Sequence, residues 1–146
     1  FYAKKYDGKW WLVDPAGRLF WSHGVDCVGF HNGSTPVSDR EFYYADLPAN
    51  ETPLATFYGR GSWAPHGYYN GKGSYRTYNF TGANLMRKYG KDWYDTAAKA
   101  CHQRLRSWAM NTIANWSDSK IYLMRQTPYV VSVSYGRTVP IEGSSG

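Results

Sequence analysis

Cysteine is scarce in this sequence, and long apolar runs are missing. Only Cys27 and Cys101 occur in 146 residues, which is too few for a disulfide framework. Because both lie in segments with an apolar pattern, we predict two buried thiols. No run approaches the ~18 consecutive apolar residues that a transmembrane helix requires, so we predict no membrane partner.

Motifs for metal and cofactor chemistry are also missing. The four histidines have no zinc-type spacing with the two cysteines. Neither a glycine-rich phosphate loop nor a nucleophile elbow occurs. We therefore predict no metal site and no cofactor. No signal peptide is visible, so we expect a chain that is mature or trimmed.

Positive charge is in excess but is not clustered. The formal net charge is +6, and the lysines and arginines are spread along the chain. A nucleic-acid-binding protein needs clustered basic residues and would bind polyanions with steep salt dependence. The spread favours a solvated basic surface and no nucleic-acid partner, although such a surface is compatible with acidic polysaccharides.

Aromatic residues are abundant. Seven Trp, fourteen Tyr and six Phe make up 18% of the chain. Many of these rings must be partly exposed, because Tyr and Trp keep a polar tip that needs a partner. Exposed rings suit sugar faces, nucleobases and protein partners.

The N-terminal part has a β pattern. Residues 9–14 and 18–22 predict two strands joined by a turn at Asp14-Pro15-Ala16-Gly17, which together form a β-hairpin. An extended, mostly apolar segment over 23–29 then predicts a first core strand that contains His23 and Asp26.

Residues 30–80 carry little regular pattern. Loops this long are usually binding loops or disordered, and the many aromatic residues argue against disorder. We predict an ordered substrate-side loop over one face, with one or two helical turns at 38–44. Arg40 and Trp63 are its candidate binding residues, and Arg40 is equally suited to an ion pair with Glu41.

The C-terminal part alternates helices and strands. Residues 84–89 predict a short helix that Gly90 ends, and Asp92 predicts the N-cap of a longer helix. The apolar face of that longer helix contains Trp93, Ala97, Cys101, Leu105 and Trp108, and we expect Trp108 in the core. A buried strand at 112–114, one or two helical turns at 119–126 and a strand at 129–135 follow.

Four polar and aromatic residues follow the buried strand. Asn115, Trp116, Ser117 and Asp118 stand where a parallel strand would end, and ligands bind at such ends in α/β folds. These side chains can stack on a sugar and hydrogen-bond to it. They are equally typical of an Asx-type turn.

The order of elements predicts an α/β fold in one domain, with about three βα units after a hairpin. The predicted parts are a β-hairpin and first strand (1–24), a long substrate-side loop (30–80) and βα units (84–146). A (β/α)₈ barrel needs about 250 residues. A three-stranded parallel sheet has two open edges, so the chain is part of a larger unit, self-associates or covers its edges with loops.

Four groups of residues together resemble the start of the catalytic domain of exo-β-agarases and related agarase-like or β-galactosidase-like glycoside hydrolases of clan A type. The most specific is the run RLRSWAMNTIANWSD over 104–118, in which Ala109 stands where a glycine is expected to close the helix. The others are DGKWWLVDP over 7–15 with 17–24, Arg40-Glu41 with Leu47-Pro48, and KYGKDW over 88–93.

This resemblance implies the N-terminal portion of a (β/α)₈ TIM barrel that hydrolyses galactans such as agarose with retention, using two glutamates. One glutamate would follow the fourth strand and the other the seventh. Glu41, Glu51 and Glu142 follow neither strand, so we assign no catalytic residue and expect the chain to be inactive alone.

The resemblance also implies substrate contacts near strand ends, to a galactan oligosaccharide or polysaccharide. The candidates are His23, Asp26, Arg40, Trp63, Asn115, Trp116 and Asp118. Expected protein partners are the rest of the barrel or a second copy, and the expected location is secreted or periplasmic. The alternative is a non-catalytic carbohydrate-binding module with aromatic-rich loops.

Overall fold

A computed structural model describes residues 1–133, which form a mixed α/β fold with three small sheets. The strands are β1 (Tyr2–Tyr6), β2 (Lys9–Val13), β3 (Leu19–Phe20), β4 (Gly24–Val25), β5 (Ser34–Pro36), β6 (Tyr58–Gly61), β7 (Tyr75–Asn79) and β8 (Thr112–Ile113). The α-helices are α1 (Phe80–Tyr89), α2 (Trp93–Ser107) and α3 (Ser119–Tyr122). Short 3-10 helices occur at His31–Gly33, Glu41–Tyr43, Pro53–Phe57 and Gly90–Asp92. Within residues 1–133, every helix is too short or too polar to cross a membrane.

The first sheet has the order β1-β2-β3 and is antiparallel. It confirms the predicted hairpin and adds β1, which the sequence pattern did not indicate. Asp7 and Gly8 both have positive φ, 46° and 75°, as a tight two-residue hairpin turn requires. In the second turn, the Asp14 carboxylate accepts hydrogen bonds from the backbone N–H of Ala16 and Arg18.

The parallel part of the fold is short. β4 pairs with β8 in the register Gly24↔Thr112 and Val25↔Ile113, and Ile113 also bridges to Tyr129 in parallel. Three parallel segments therefore lie side by side in chain order, with the fully buried Ile113 in the middle.

The two outer parallel segments are shorter than predicted. The predicted strand over 23–29 is regular only at Gly24–Val25, because the positive φ of Cys27 (58°) turns the chain. The predicted strand over 129–135 is reduced to the bridge at Tyr129 as far as residue 133. Positions 134 and 135 lie outside the described residues, as do all later ones.

Residues 30–80, predicted as an ordered long loop with little regular pattern, contain an antiparallel sheet of order β5-β7-β6 that the sequence did not indicate. The sequence did not reveal this sheet because β5 and β7 are some forty residues apart in the chain and pair through long-range contacts. Over 38–44 the chain forms one 3-10 turn, Glu41–Tyr43.

The helices occur in the predicted order, but α1 begins at Phe80 and not at residue 84, and α3 ends at Tyr122. Asn79 caps α1 by accepting a 2.9 Å hydrogen bond from the Gly82 N–H, and Asp92 takes the N-cap position of α2 without a side-chain capping bond. Trp108 is 59% exposed, so its assignment to the core was wrong. The helix ends at Ser107, and Ala109 reverses the chain with a φ of 56°, in the position where a glycine was expected.

The core has two clusters. The first packs Phe30, Ala97, Leu105, Ile113 and Ile121 between β8 and the helices. The second is centred on Val37, Tyr78 and Ala83. An edge contact between Phe57 and Trp93, with ring centroids 5.6 Å apart, joins the 3-10 helix that precedes β6 to α2.

The structure defines the surroundings of His102 and of the two cysteines. His102 is 1% exposed and lies between the Thr127 hydroxyl (2.9 Å from Nδ1) and the Ile121 carbonyl (3.1 Å from Nε2). Because a carbonyl only accepts, Nε2 carries the proton that is donated to Ile121. Cys101 is half-buried, but Cys27 is exposed where the chain turns, so the prediction of two buried thiols was wrong for Cys27.

Candidate functional site

The candidate site lies where the parallel strands β4 and β8 end. The Ala114 N–H donates to the Val25 carbonyl, and the Cys27 N–H donates to the Asn115 carbonyl, both at 2.9 Å. The backbone pairing therefore continues one step beyond the strands. It places Asp26 and Asn115 at the same edge, as predicted for the carboxyl ends of parallel strands.

Ser117 fixes the turn that follows β8. Its hydroxyl donates to the Ala114 carbonyl (2.6 Å) and accepts from the Val28 N–H (3.0 Å). Trp116 has a positive φ of 56°, and its indole is 70% exposed. The turn therefore presents a flat aromatic surface to solvent at the strand ends.

Asn115 has an unsatisfied polar atom. Its side-chain Oδ1 is buried and accepts no hydrogen bond from any residue in the described part of the chain. A buried acceptor without a partner costs about 1–3 kcal/mol, and such groups in native proteins call for a specific explanation. A hydroxyl donor supplied by a ligand is one way to satisfy it.

Asp118 has a structural role. Its Oδ1 accepts from the Lys120 N–H (3.0 Å) and so caps α3, while its Oδ2 accepts from the Tyr94 hydroxyl (2.5 Å). His31 Nδ1 lies 3.8 Å from the same oxygen. The Asx-turn interpretation is therefore realised at Asp118, and its contact with a sugar stays a prediction.

Tyr94 and His31 are the side chains next to Asp118 Oδ2. The sequence analysis named neither as a candidate site residue. Burial, followed by the hydrogen bond to Asp118 and its negative charge, raises the pKa of Tyr94 well above 10. Tyr94 is 24 residues from Asp118 in the chain, so no local pattern could have joined them.

His23 lies at the opposite end of the strands from Asp26 and Asn115. It precedes β4, its N–H donates to Asn111 Oδ1 (2.9 Å), and its carbonyl accepts from the Asn111 N–H (2.8 Å). The prediction that His23 shares the side on which barrel active sites lie was therefore wrong. The reason is that the regular strand begins after His23.

Arg40 and Trp63 belong to the antiparallel sheet region. The Arg40 guanidinium lies 4.5 Å from the Tyr68 ring centroid, and no ion pair joins it to Glu41 within residues 1–133. Trp63 is 82% exposed, and its carbonyl accepts from the Tyr75 hydroxyl at 2.8 Å. No hydrogen bond, ion pair or ring contact joins either residue to Asn115–Asp118 in the described part of the chain.

Within residues 1–133, the ends of β4 and β8 show no catalytic pair of carboxylates. Asp26 and Asp118 are the carboxylates there, and Asp118 is committed to α3 and Tyr94. No group of three or more His, Cys, Asp or Glu side chains among the described residues is placed to hold a metal ion.

Comparison with known proteins gives this geometry a context. The chain is 31% identical to beta-agarase B of Vibrio sp. (strain JT0107) over 156 aligned positions, which cover 90% of this chain and 16% of that protein. It is also 31% identical to beta-agarase A of the same strain, over 89% of this chain and 13% of that protein. No protein-family model matches the chain.

Solved structures give the same result. An agarase, AgWH50C, superposes with a TM-score of 0.71 at 28% identity, over 87% of this chain and 20% of that one. PfGH50B superposes with a TM-score of 0.78 at 28% identity, over 88% and 21%. An exo-beta-agarase shares the fold with a TM-score of 0.75 at 24% identity, over 88% and 22%.

The predicted resemblance to agarase-like glycoside hydrolases is therefore confirmed over about nine-tenths of the chain. The particular relatives it matches are β-agarases. The chain spans about one-sixth or less of the length of these curated relatives, 16% and 13%.

Proposed function

We propose that this chain forms part of a (β/α)₈ barrel in a retaining, agarase-like glycoside hydrolase, and that the ends of β4 and β8 bind a galactan such as agarose. The observation that carries the proposal is the edge formed by Asp26, Asn115 and Trp116. It combines an exposed indole, an exposed carboxylate and a buried amide oxygen that has no hydrogen-bond partner among residues 1–133. The β-agarase relatives supply the substrate class.

The barrel part of the proposal is supported by the parallel segments. β4, β8 and the Tyr129 bridge lie side by side in chain order, and helical segments connect them. Parallel neighbours with helical crossovers are the repeating unit of such barrels. The remainder of the barrel, or a second copy, would cover the open edges of this short sheet.

The sugar chemistry follows from the side chains. The exposed Trp116 indole offers a face for the apolar side of a galactose ring, and Asn115 Oδ1 offers an acceptor for a sugar hydroxyl. The exposed Asp26 carboxylate is a second acceptor. Trp116 and Asp26 are exposed at the strand ends, whereas a sugar hydroxyl would reach the buried Asn115 Oδ1 only after a local side-chain shift.

Catalysis is assigned to residues outside this chain. A retaining glycosidase needs two carboxyls roughly 5–5.5 Å apart at the scissile bond. Glu41 lies in a 3-10 turn and Glu51 in a loop of the antiparallel region. We therefore propose that the chain alone is inactive. A polymeric substrate does not cross a membrane, so a secreted or periplasmic location belongs to the same proposal.

The experiment measures binding of an agarose hexasaccharide by calorimetry to this chain and to a longer polypeptide that contains the rest of the proposed barrel. We expect Trp116→Ala to lower the affinity at least roughly tenfold. Trp108→Ala is the matched control, because Trp108 is also exposed (59%) but precedes β8 at the opposite end. Equal loss in both variants, or no loss in Trp116→Ala, would overturn the proposal.

The second candidate is a non-catalytic carbohydrate-binding module. The exposed Trp10, Trp21 and Trp63, at 73%, 74% and 82%, favour it because they offer flat aromatic surfaces on which a sugar can stack. Assaying agarose hydrolysis by the longer polypeptide separates the two. Release of reducing ends supports the enzyme, whereas tight binding without hydrolysis supports the module.

A further inference from the structure

Two arginines face each other across the antiparallel sheet. Arg60 on β6 pairs directly with Arg76 on β7, so their side chains leave the same face of the sheet. Like charges directly opposite each other destabilise a sheet. A negative charge bound between the two guanidinium groups would offset this repulsion.

The described residues supply no such charge. Neither arginine has a carboxylate within 4.0 Å in residues 1–133, where the ion pairs are those of Asp14, Asp39 and Asp118. The Arg76 guanidinium is held in place over the Tyr58 ring, 3.6 Å from its centroid, and donates to Asn50 Oδ1 at 2.8 Å. Arg60 is exposed and makes no side-chain hydrogen bond within the same part of the chain.

The two arginines line one polar groove. Its volume is about 420 Å³, and its walls are formed by Ser38, Tyr58, Gly59, Arg60, Ser74 and Arg76. No acidic side chain is among these lining residues. Glu41 and Glu51 line an adjoining groove that shares Tyr58 and Arg76, so the neighbouring acidic side chains are on the Arg76 side and not on the Arg60 side.

The groove also offers uncharged donors. The Ser38 hydroxyl oxygen accepts a 2.7 Å hydrogen bond from the Arg76 N–H, which leaves the Ser38 hydroxyl proton free to donate. Ser74 lines the same groove. Gly59 adds no side chain to the groove, and a Cβ there would lie 3.1 Å from Thr77 Oγ1.

We propose that Arg60 and Arg76 form a binding site for an oxyanion carried by a polysaccharide, either a sulfate ester or a carboxylate on a galactan chain. Arginine binds such planar or tetrahedral oxyanions through paired N–H donors. The positions of Ser38 and Ser74 allow two further hydrogen bonds to the same group. This inference rests on the proposed function for its substrate class, but it concerns a different surface.

The test compares a sulfated galactan oligosaccharide with its desulfated counterpart, by calorimetry on this chain at fixed low salt. We expect the sulfated sugar to bind roughly tenfold more tightly, and Arg60→Gln to abolish that difference while leaving the affinity for the desulfated sugar unchanged. Arg106→Gln on the exposed end of α2 removes the same charge elsewhere and should keep the preference.

Two further variants, Arg76→Gln and Ser74→Ala, show whether a loss of binding comes from the site or from misfolding. Arg76→Gln removes contacts to Tyr58 and Asn50, so its circular dichroism and urea midpoint are recorded beside its binding. Ser74→Ala leaves both arginines in place, and we expect it to reduce the preference several-fold. Retention of the full preference in Arg60→Gln would overturn the site.

Further arms identify the source of the oxyanion. A galactan carrying a carboxylate in place of the sulfate tests the second chemistry, and a single-stranded oligonucleotide tests a phosphate polymer. Tighter, Arg60-dependent binding of the oligonucleotide would overturn the polysaccharide assignment. The proposed function is tested separately by Trp116→Ala with the neutral agarose hexasaccharide. If only the oxyanion site is wrong, Trp116→Ala still weakens binding of that neutral sugar.

Discussion

The Tyr94 hydroxyl on α2 donates a 2.5 Å hydrogen bond to Oδ2 of Asp118, the residue that caps α3. This contact ties a helix to the turn that carries Asn115 and Trp116. Because Asp118 Oδ1 is used by the Lys120 N–H, the carboxylate position depends on both partners. The geometry of the candidate sugar site is therefore coupled to the packing of α2.

Tyr94→Phe removes this hydrogen bond and little else. We expect the free energy of unfolding to fall by about 1.5–3 kcal/mol, the range for hydrogen bonds to charged groups, as measured by urea denaturation. Tyr122→Phe is the control, because Tyr122 is also half-buried but its hydroxyl makes no hydrogen bond in the described part of the chain. A loss of equal size in the control would contradict the assigned role of Tyr94.

The raised pKa of Tyr94 predicts a loss of stability at high pH. Burial and Asp118 raise the folded-state pKa above the ordinary value of 10.0, so the folded state holds the phenol proton where the unfolded state releases it. The contribution is fully present below pH 10 and is lost as the pH rises from 10 toward the folded-state pKa. Urea midpoints recorded from pH 8 to pH 11 should fall less steeply in Tyr94→Phe than in the unmodified chain. Parallel slopes would contradict the coupling.

Gly24→Ala should disrupt the parallel pair. A Cβ at Gly24 would lie 1.7 Å from the Thr112 carbonyl oxygen, so β4 and β8 would have to separate. We expect a loss of at least ~3 kcal/mol in thermal or urea unfolding, which is beyond the usual range for one substitution. Gly67→Ala is the comparison, because Gly67 has a positive φ but open space around it. Its cost should be nearer ~1 kcal/mol.

Asn115→Ala separates binding from stability. Because the Asn115 Oδ1 is buried without a partner among residues 1–133, removing the amide should change the free energy of unfolding by less than about 1 kcal/mol. Affinity for agarose hexasaccharide should fall roughly tenfold. A stability loss above about 2 kcal/mol would instead identify the amide as a structural group.

Several elements follow from local sequence. The Asp14-Pro15-Ala16-Gly17 turn specifies a hairpin through turn chemistry, and the spacing of Trp93, Ala97 and Leu105 specifies one face of α2. The β-branched Thr112-Ile113 step favours a strand. These signals are local because each depends on residues within a few positions of one another.

Other features depend on contacts between distant parts of the chain. The β5-β7-β6 sheet joins segments some forty residues apart, and its strands show no clear alternation of apolar and polar residues. His23 fell at the wrong end of β4 because one or two positions at a strand boundary decide the end to which a residue belongs. Trp108 lies outside the core because α2 ends at Ser107 and the chain reverses at Ala109, whereas the apolar spacing predicted that the helix would continue through Trp108.

The sequence by itself determined the hairpin, α2, the buried β8 and the resemblance to agarases, because each resides in contiguous residues. Only the tertiary structure decided that Tyr94 holds Asp118, that Asn115 Oδ1 is left without a partner among the described residues, and that Arg60 faces Arg76. Those relationships are set by strand register and helix packing, which bring together residues whose separation in the chain carries no information about their separation in space.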